Sequence, residues 1–168
     1  ERVKRGETEA HFHRQKVVMF SLSSGTVGAR KFLPVTKRFV KTHQRGWYLW
    51  GLGAFSAYPH LCMEAKIGLA GNPDEFRTRA NLPCGSISGL TAQLQNPFIR
   101  RTCVLPADTW FIKQSSVKSY LAWRLGLLAN VGMWLTPNPS THLALARFGD
   151  AHREQLIEDV ERGTVSIE

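Results

Sequence analysis

Carboxylates are scarce in the middle of this chain: Asp108 is the only acid between Glu75 and Asp150. A paired-carboxylate site or a Ser-His-Asp triad is hard to assemble from so few acids. The sequence also lacks a G-x-S-x-G elbow. Gly25-Thr-Val-Gly28-Ala-Arg-Lys31 places glycines before a cation but departs from the G-x-x-x-x-G-K-[ST] spacing of a phosphate cradle. Catalysis is therefore not expected. Cysteines number three, Cys62, Cys84 and Cys103, with no C-x-x-C pair. They cannot all pair with one another, which favours a reducing compartment. His11 with His13 and His60 with Cys62 fall short of the four ligands that zinc requires. Neither a metal nor any other cofactor is expected.

No secretory apolar core occupies residues 1–20, and the chain begins at Glu1 without a methionine. Either cleavage or a trimmed chain accounts for the missing methionine, and removal of a transit peptide would fit both facts.

The chain's 168 residues allow one folding unit with extensions. Its net charge of +9 is unevenly spread. Residues 1–45 carry eleven basic and three acidic groups, residues 46–149 nine and four, and residues 150–168 two and six. The order is a basic arm, an apolar middle and an acidic end.

The most distinctive stretch is Gly46–Met63, eighteen residues without a charge, rich in aromatics and preceded by Arg30, Lys31, Lys37, Arg38, Lys41 and Arg45. Cations followed by aromatics and then apolar residues is the pattern of a segment entering a membrane from an anionic surface. Trp47, Tyr48, Trp50, Phe55 and Tyr58 are the expected membrane-interface or partner contacts. Lys37, Arg38, Lys41 and Arg45 are the expected contacts to anionic lipid or RNA.

Along the rest of the chain, residues 1–9 read as a polar arm and His11–Leu22 as an extended stretch. Val35–Gln44 reads as a short helix with Pro34 in its first turn. Residues 68–119 lack a sustained period and read as an extended, irregular connector lying on a partner. The apolar run 120–135 is expected to be helical, with Ala122, Gly126, Ala129 and Gly132 forming a small-residue packing face. Residues 150–162 are expected to form an amphipathic helix capped by Asp150 and stopped by Gly163.

The composite expectation is a mainly α chain with long irregular connectors and one membrane-embedded helix over 46–63. Its parts are a basic arm with a short helix (1–45), an apolar aromatic segment (46–67), a connector (68–119) and a helical end (120–168). The function expected of such a chain is that of a non-catalytic accessory subunit of a mitochondrial inner-membrane complex, a respiratory-chain or ATP-synthase assembly, with other subunits and membrane lipid as partners. The alternatives are a mitochondrial ribosomal protein in the matrix contacting rRNA, and a stand-alone soluble binding domain.

Overall fold

The computed structural model describes residues 5, 7, 15–23 and 30–167. The polar arm, His11, His13 and the Gly25–Gly28 glycines fall largely or wholly outside them. Two compact units share the chain discontinuously. The first takes Glu1–Ala57 and Gly71–Gln93, the second Tyr58–Ala70 and Leu94–Glu168.

In the first unit, β1 (Val17–Ser23) is rich in branched and aromatic residues that suit a pleated, half-buried surface. It pairs antiparallel with β2 (Lys31–Thr36), setting Phe20 opposite Pro34 and Ser23 opposite Lys31. On its other side it runs parallel to β5 (Pro83–Gly85), with Phe20 opposite Cys84. β4 (Phe76–Arg77) completes the sheet in the order β2-β1-β5-β4. Val17, Phe20 and Cys84 form its buried centre, with Leu22, Phe32 and Leu82 packed around them.

Pro34 thus lies in an edge strand, where its missing N–H is tolerated, rather than in a helical first turn. The helix starts later, where the Thr36 hydroxyl accepts the Phe39 N–H at 3.2 Å.

That helix, α1 (Lys37–Ala57), joins the basic stretch and most of the uncharged run into one 21-residue element, none of whose residues is buried. The chain leaves it at Tyr58 and makes a 3-10 turn over Pro59–Cys62. Among the described residues no helix is long and apolar enough to cross a membrane. The membrane-embedded helix expected over 46–63 is therefore a wrong reading. Pro59 ends the element, and its four-residue-spaced aromatics share the helix with Lys37, Arg38, Lys41 and Arg45.

Helix α2 (Ile87–Gln93) follows β5 directly. Gly89 on α2 lies against the backbone of Gly71 and Pro73: an added Cβ would overlap the Gly71 carbonyl oxygen and sit 2.8 Å from the Pro73 nitrogen. Gly89→Ala is expected to cost about 1–3 kcal/mol, because backbone on both sides must shift. Urea denaturation checks this, and an unchanged midpoint would contradict it.

In the second unit, β3 (Ala65–Gly68) and β6 (Val131–Leu135) form a parallel pair with Ile67 opposite Trp134. Around them stand α3 (Pro97–Arg101), α4 (Ser115–Gly126), α5 (Pro139–Ala151) and α6 (Arg153–Arg162). Asn96 and Asn138 cap α3 and α5 by accepting the N–H groups of Phe98 and Ser140. Ile67, Leu105, Ala122 and Leu145 form the core, ringed by Leu69, Leu121, Leu125, Val131 and Trp134.

The run 120–135 is not one helix. α4 stops at Gly126, the chain turns, and Val131–Leu135 is a strand. Ala122 and Gly126 are helical, Ala129 lies in the turn and Gly132 is extended, so the four share no face. Gly126 serves close packing of a different kind, since a Cβ there would stand 2.6 Å from Ile67 Cδ1 on β3. Residues 68–119 hold β4, β5, α2 and α3 in place of an irregular connector. The chain is a mixed α/β protein, which overturns the expectation of a mainly α one.

Candidate functional site

In the first unit β1 and β5 are parallel neighbours, with Gly85 at the end of β5 opposite Ser21, two residues before the end of β1. Ligands of open α/β sheets gather outside such ends. Lys31, opposite Ser23, opens β2 at this edge with Arg30 before it, and Ser86 leads from β5 into α2.

Arg30 is held by Glu75, whose Oε2 accepts from Nη1 at 3.0 Å. Ser86 and Ser88 bring their hydroxyls within 2.7 Å of each other, and Ser88 Oγ accepts the Gly71 N–H at 3.0 Å. The hydroxyls of Ser23, Ser86 and Ser88 and the cations Arg30 and Lys31 are groups of a kind that suits an anion. The sequence showed these residues, but comparison with a single phosphate-loop spacing dismissed them. The readable signal was a hydroxyl- and glycine-rich turn between two extended stretches, followed by cations.

α1 carries the second surface of this unit. Trp47, Tyr48 and Trp50 are all exposed, as are Lys37, Arg38, Lys41 and Arg45, while Phe55 is half-buried. Tyr58 lies past the helix in the other unit, with its ring 6.2 Å from His60. Spacing of four and three residues strings Phe39, His43, Trp47 and Trp50 into a ladder. Phe39 stacks on His43 at 5.6 Å, and Trp47 meets Trp50 edge to face at 5.5 Å. The ladder is tied to α2 where His43 Nε2 and Thr91 Oγ1 approach to 3.0 Å.

The second unit buries polar groups that are internally satisfied. Lys66 Nζ donates to Glu64 O at 2.9 Å, Thr102 Oγ1 at 3.0 Å and Cys62 O at 3.4 Å. Burial pushes its ammonium below the ordinary lysine value. Burial also pushes the Cys84 and Cys103 thiols up, which leaves them poor nucleophiles.

Asp159, buried between α4 and α6, accepts from Tyr120 Oη, from Thr164 Oγ1 at 2.6 Å and from Ser166 Oγ at 2.7 Å. These donors hold its carboxyl well below the usual carboxylate range. Among the described residues no group of three or more His, Cys, Asp or Glu is placed to hold a metal ion.

Parallel pairing of β1 with β5 in one unit and of β3 with β6 in the other, each with helices in the same unit, makes this an α/β fold. The profile described as GH3 family N-terminal domain matches residues 1–168, and the chain belongs to the GH3 family. Among solved structures, "GH3.15 acyl acid amido synthetase" is similar at a TM-score of 0.81 and 19% identity, over 98% of this chain and 29% of that one. "AtGH3.15 acyl acid amido synthetase in complex with 2,4-DB" is similar at 0.79 and 18%, with the same coverages. At these identities the likeness is one of fold, and the chain spans 29% of the length of the structures it matches. A search of curated proteins finds no match.

Membership of this family overturns the expected non-catalytic accessory subunit of a respiratory-chain or ATP-synthase complex. The ribosomal alternative falls with it, as do the expected partners: neighbouring subunits, membrane lipid and rRNA. Membership of the GH3 family likewise overturns the expectation that the chain belongs to no enzyme. Lys37, Arg38, Lys41, Arg45, Trp47, Tyr48, Trp50 and Phe55, which prompted those readings, lie on α1, and Tyr58 lies past its end.

Proposed function

We propose that this chain is part of an acyl acid amido synthetase, its first unit holding a phosphoanhydride co-substrate and the acid. The reading is carried by the family match over residues 1–168. It is supported by the strand-end edge, whose residue types suit phosphate.

Joining a carboxylate to an amine is unfavourable in water because the carboxylate is a poor electrophile. A co-substrate such as ATP supplies the driving force. One carboxylate oxygen bonds to phosphorus, the distal phosphates leave, and the mixed anhydride is attacked by the amine nitrogen. The amide forms, the nucleotide departs and the amine proton is released. Arg30 and Lys31, with the hydroxyls of Ser23, Ser24 and Thr26, are the groups in this chain suited to stabilise phosphate charge that develops in such a step. The aromatic ladder of α1 offers an apolar surface for the tail of the acid, and its amphipathic rings fit a ligand with one apolar and one charged end.

The test is acid-dependent pyrophosphate release from ATP by the intact protein, with an amino acid as acceptor. Replacing both Arg30 and Lys31 by Ala should lower the rate on the order of a hundredfold or more. Absence of pyrophosphate release across a panel of apolar acids would refute the reading, and an unaffected double variant would refute the role of this edge.

A further inference from the structure

The His43 imidazole meets two partners through one nitrogen. Trp47 Nε1 lies 3.2 Å from His43 Nε2, and Thr91 Oγ1 lies 3.0 Å from the same atom. An indole N–H can only donate, so the Trp47 bond requires Nε2 to be unprotonated. Thr91 donates its own hydroxyl hydrogen to Ile87 O at 2.9 Å, which leaves its oxygen free to accept. An Nε2–H therefore completes a chain from His43 through Thr91 to Ile87 and turns the Trp47 indole away.

We propose that His43 is a positioning residue that sets the orientation of Trp47 on the acid-binding face, holding the indole when Nε2 is bare and releasing it when Nε2 is protonated. The proposal rests on the reading of α1 as the surface for the acid's apolar tail. Stacking on Phe39 fixes the imidazole plane, with 14° between the rings, and Thr91 fixes its edge. Trp47 in turn abuts Trp50 at 82°, so the orientation of one indole is passed to the next. The other ionisable groups on α1 are Lys37, Arg38, Lys41, Arg45 and Tyr48, and α2 carries none.

The test follows the indole N–H resonance of Trp47, assigned by its loss in W47F, in the intact protein. H43F keeps the stacked ring and removes the acceptor; H43Q keeps an acceptor for Trp47 and a donor for Thr91. The Trp47 resonance should move in H43F, return toward its native position in H43Q, and move on acidification in the native protein but not in H43Q. The KM for 2,4-DB should rise about fivefold in H43F, with kcat and the KM for ATP unchanged, and recover in H43Q. An indole resonance indifferent to H43F would overturn the proposal. So would an unchanged KM for the acid in H43F while W47A raises it. If W47A leaves that KM unaltered, the placement of the acid on α1 has failed instead, and the indole resonance alone decides the role of His43.

Discussion

Phe20→Ala is expected to destabilise the first unit by about 3–5 kcal/mol, the range for truncating a large buried aromatic side chain. Phe20 has 0% exposure and sits at the crossing of all the packing in that unit. Its strand neighbours are Pro34 on β2 and Cys84 on β5, and its ring meets Phe32 edge to face at 6.3 Å. Phe32 continues the contact to Phe76 on β4 at 6.0 Å. Among the described residues, the buried cluster around it otherwise contains Val17 and Cys84, with partly buried neighbours around it. Few other side chains can collapse into the space. Against a typical domain stability of about 5–15 kcal/mol, such a loss removes much of the margin.

Hydrogen exchange by mass spectrometry locates the damage. Amides of β1, β2 and β5 should lose protection, while those of β3 and β6, which pack on Ile67 and Leu105, should keep it. Binding of pyrophosphate at the strand-end edge should fall in parallel, since Ser23 and Lys31 are held by the same sheet. A variant less than about 1 kcal/mol weaker than the native protein would show that this centre is not where the unit's stability resides.

Replacement of Asp159 by Ala should have the largest effect of any polar substitution in the second unit. The carboxylate gathers Tyr120 Oη, Thr164 Oγ1, Ser166 Oγ and the Ser166 N–H, the last at 3.2 Å, and fastens the segment after α6 to α4. Arg124, itself buried, donates to the backbone oxygens of Asp159 and Thr164 at 2.8 and 3.0 Å. Without the acid, buried donors lose their acceptor and Arg124 keeps its charge with less around it to offset it. The Ser166 amide should then exchange at the rate of an unstructured peptide, and the unit should melt at a clearly lower temperature.

Acid gives a second readout. The folded carboxyl is held below its unfolded value of about 3.9, so its stabilisation is complete above that pH and is lost as pH falls toward the folded value. The native protein should lose stability on acidification below about pH 4, and D159A should show a flatter profile over the same span. Identical acid profiles for the two proteins would exclude this carboxylate as the source.

Local signals in the sequence were legible where one residue sufficed to specify geometry. Gly163 adopts the left-handed conformation, φ 68°, that ends α6, and branched residues around Val17 and Phe20 marked an extended stretch. The errors arose where distant pairing decided the outcome. Val131–Leu135 looks helical beside α4, yet its strand state depends on β3, sixty-odd residues earlier. Nothing local says that Phe20 will lie beside Cys84. The aromatic run after Gly46 misled for a different reason. Exposed aromatics on a helix without buried residues look the same in sequence whether lipid, protein or a small ligand meets them. The edge proposed for the anion was half visible: Ser23, Ser86, Arg30 and Lys31 can be read from the sequence, but the parallel alignment of β1 with β5 cannot.

That alignment also has a consequence for synthesis. The polypeptide emerges in order, so the β1–β2 hairpin is complete long before Cys84, the partner of Phe20, has been made. At a translation rate of about 5–20 residues per second the open side of β1 waits roughly 2–10 s for its neighbour. Throughout that interval an apolar strand presents unpaired amide and carbonyl groups to other nascent chains. Production of this protein should therefore be unusually sensitive to ribosome pausing between residues 37 and 83, and to the supply of chaperones that shield strand edges.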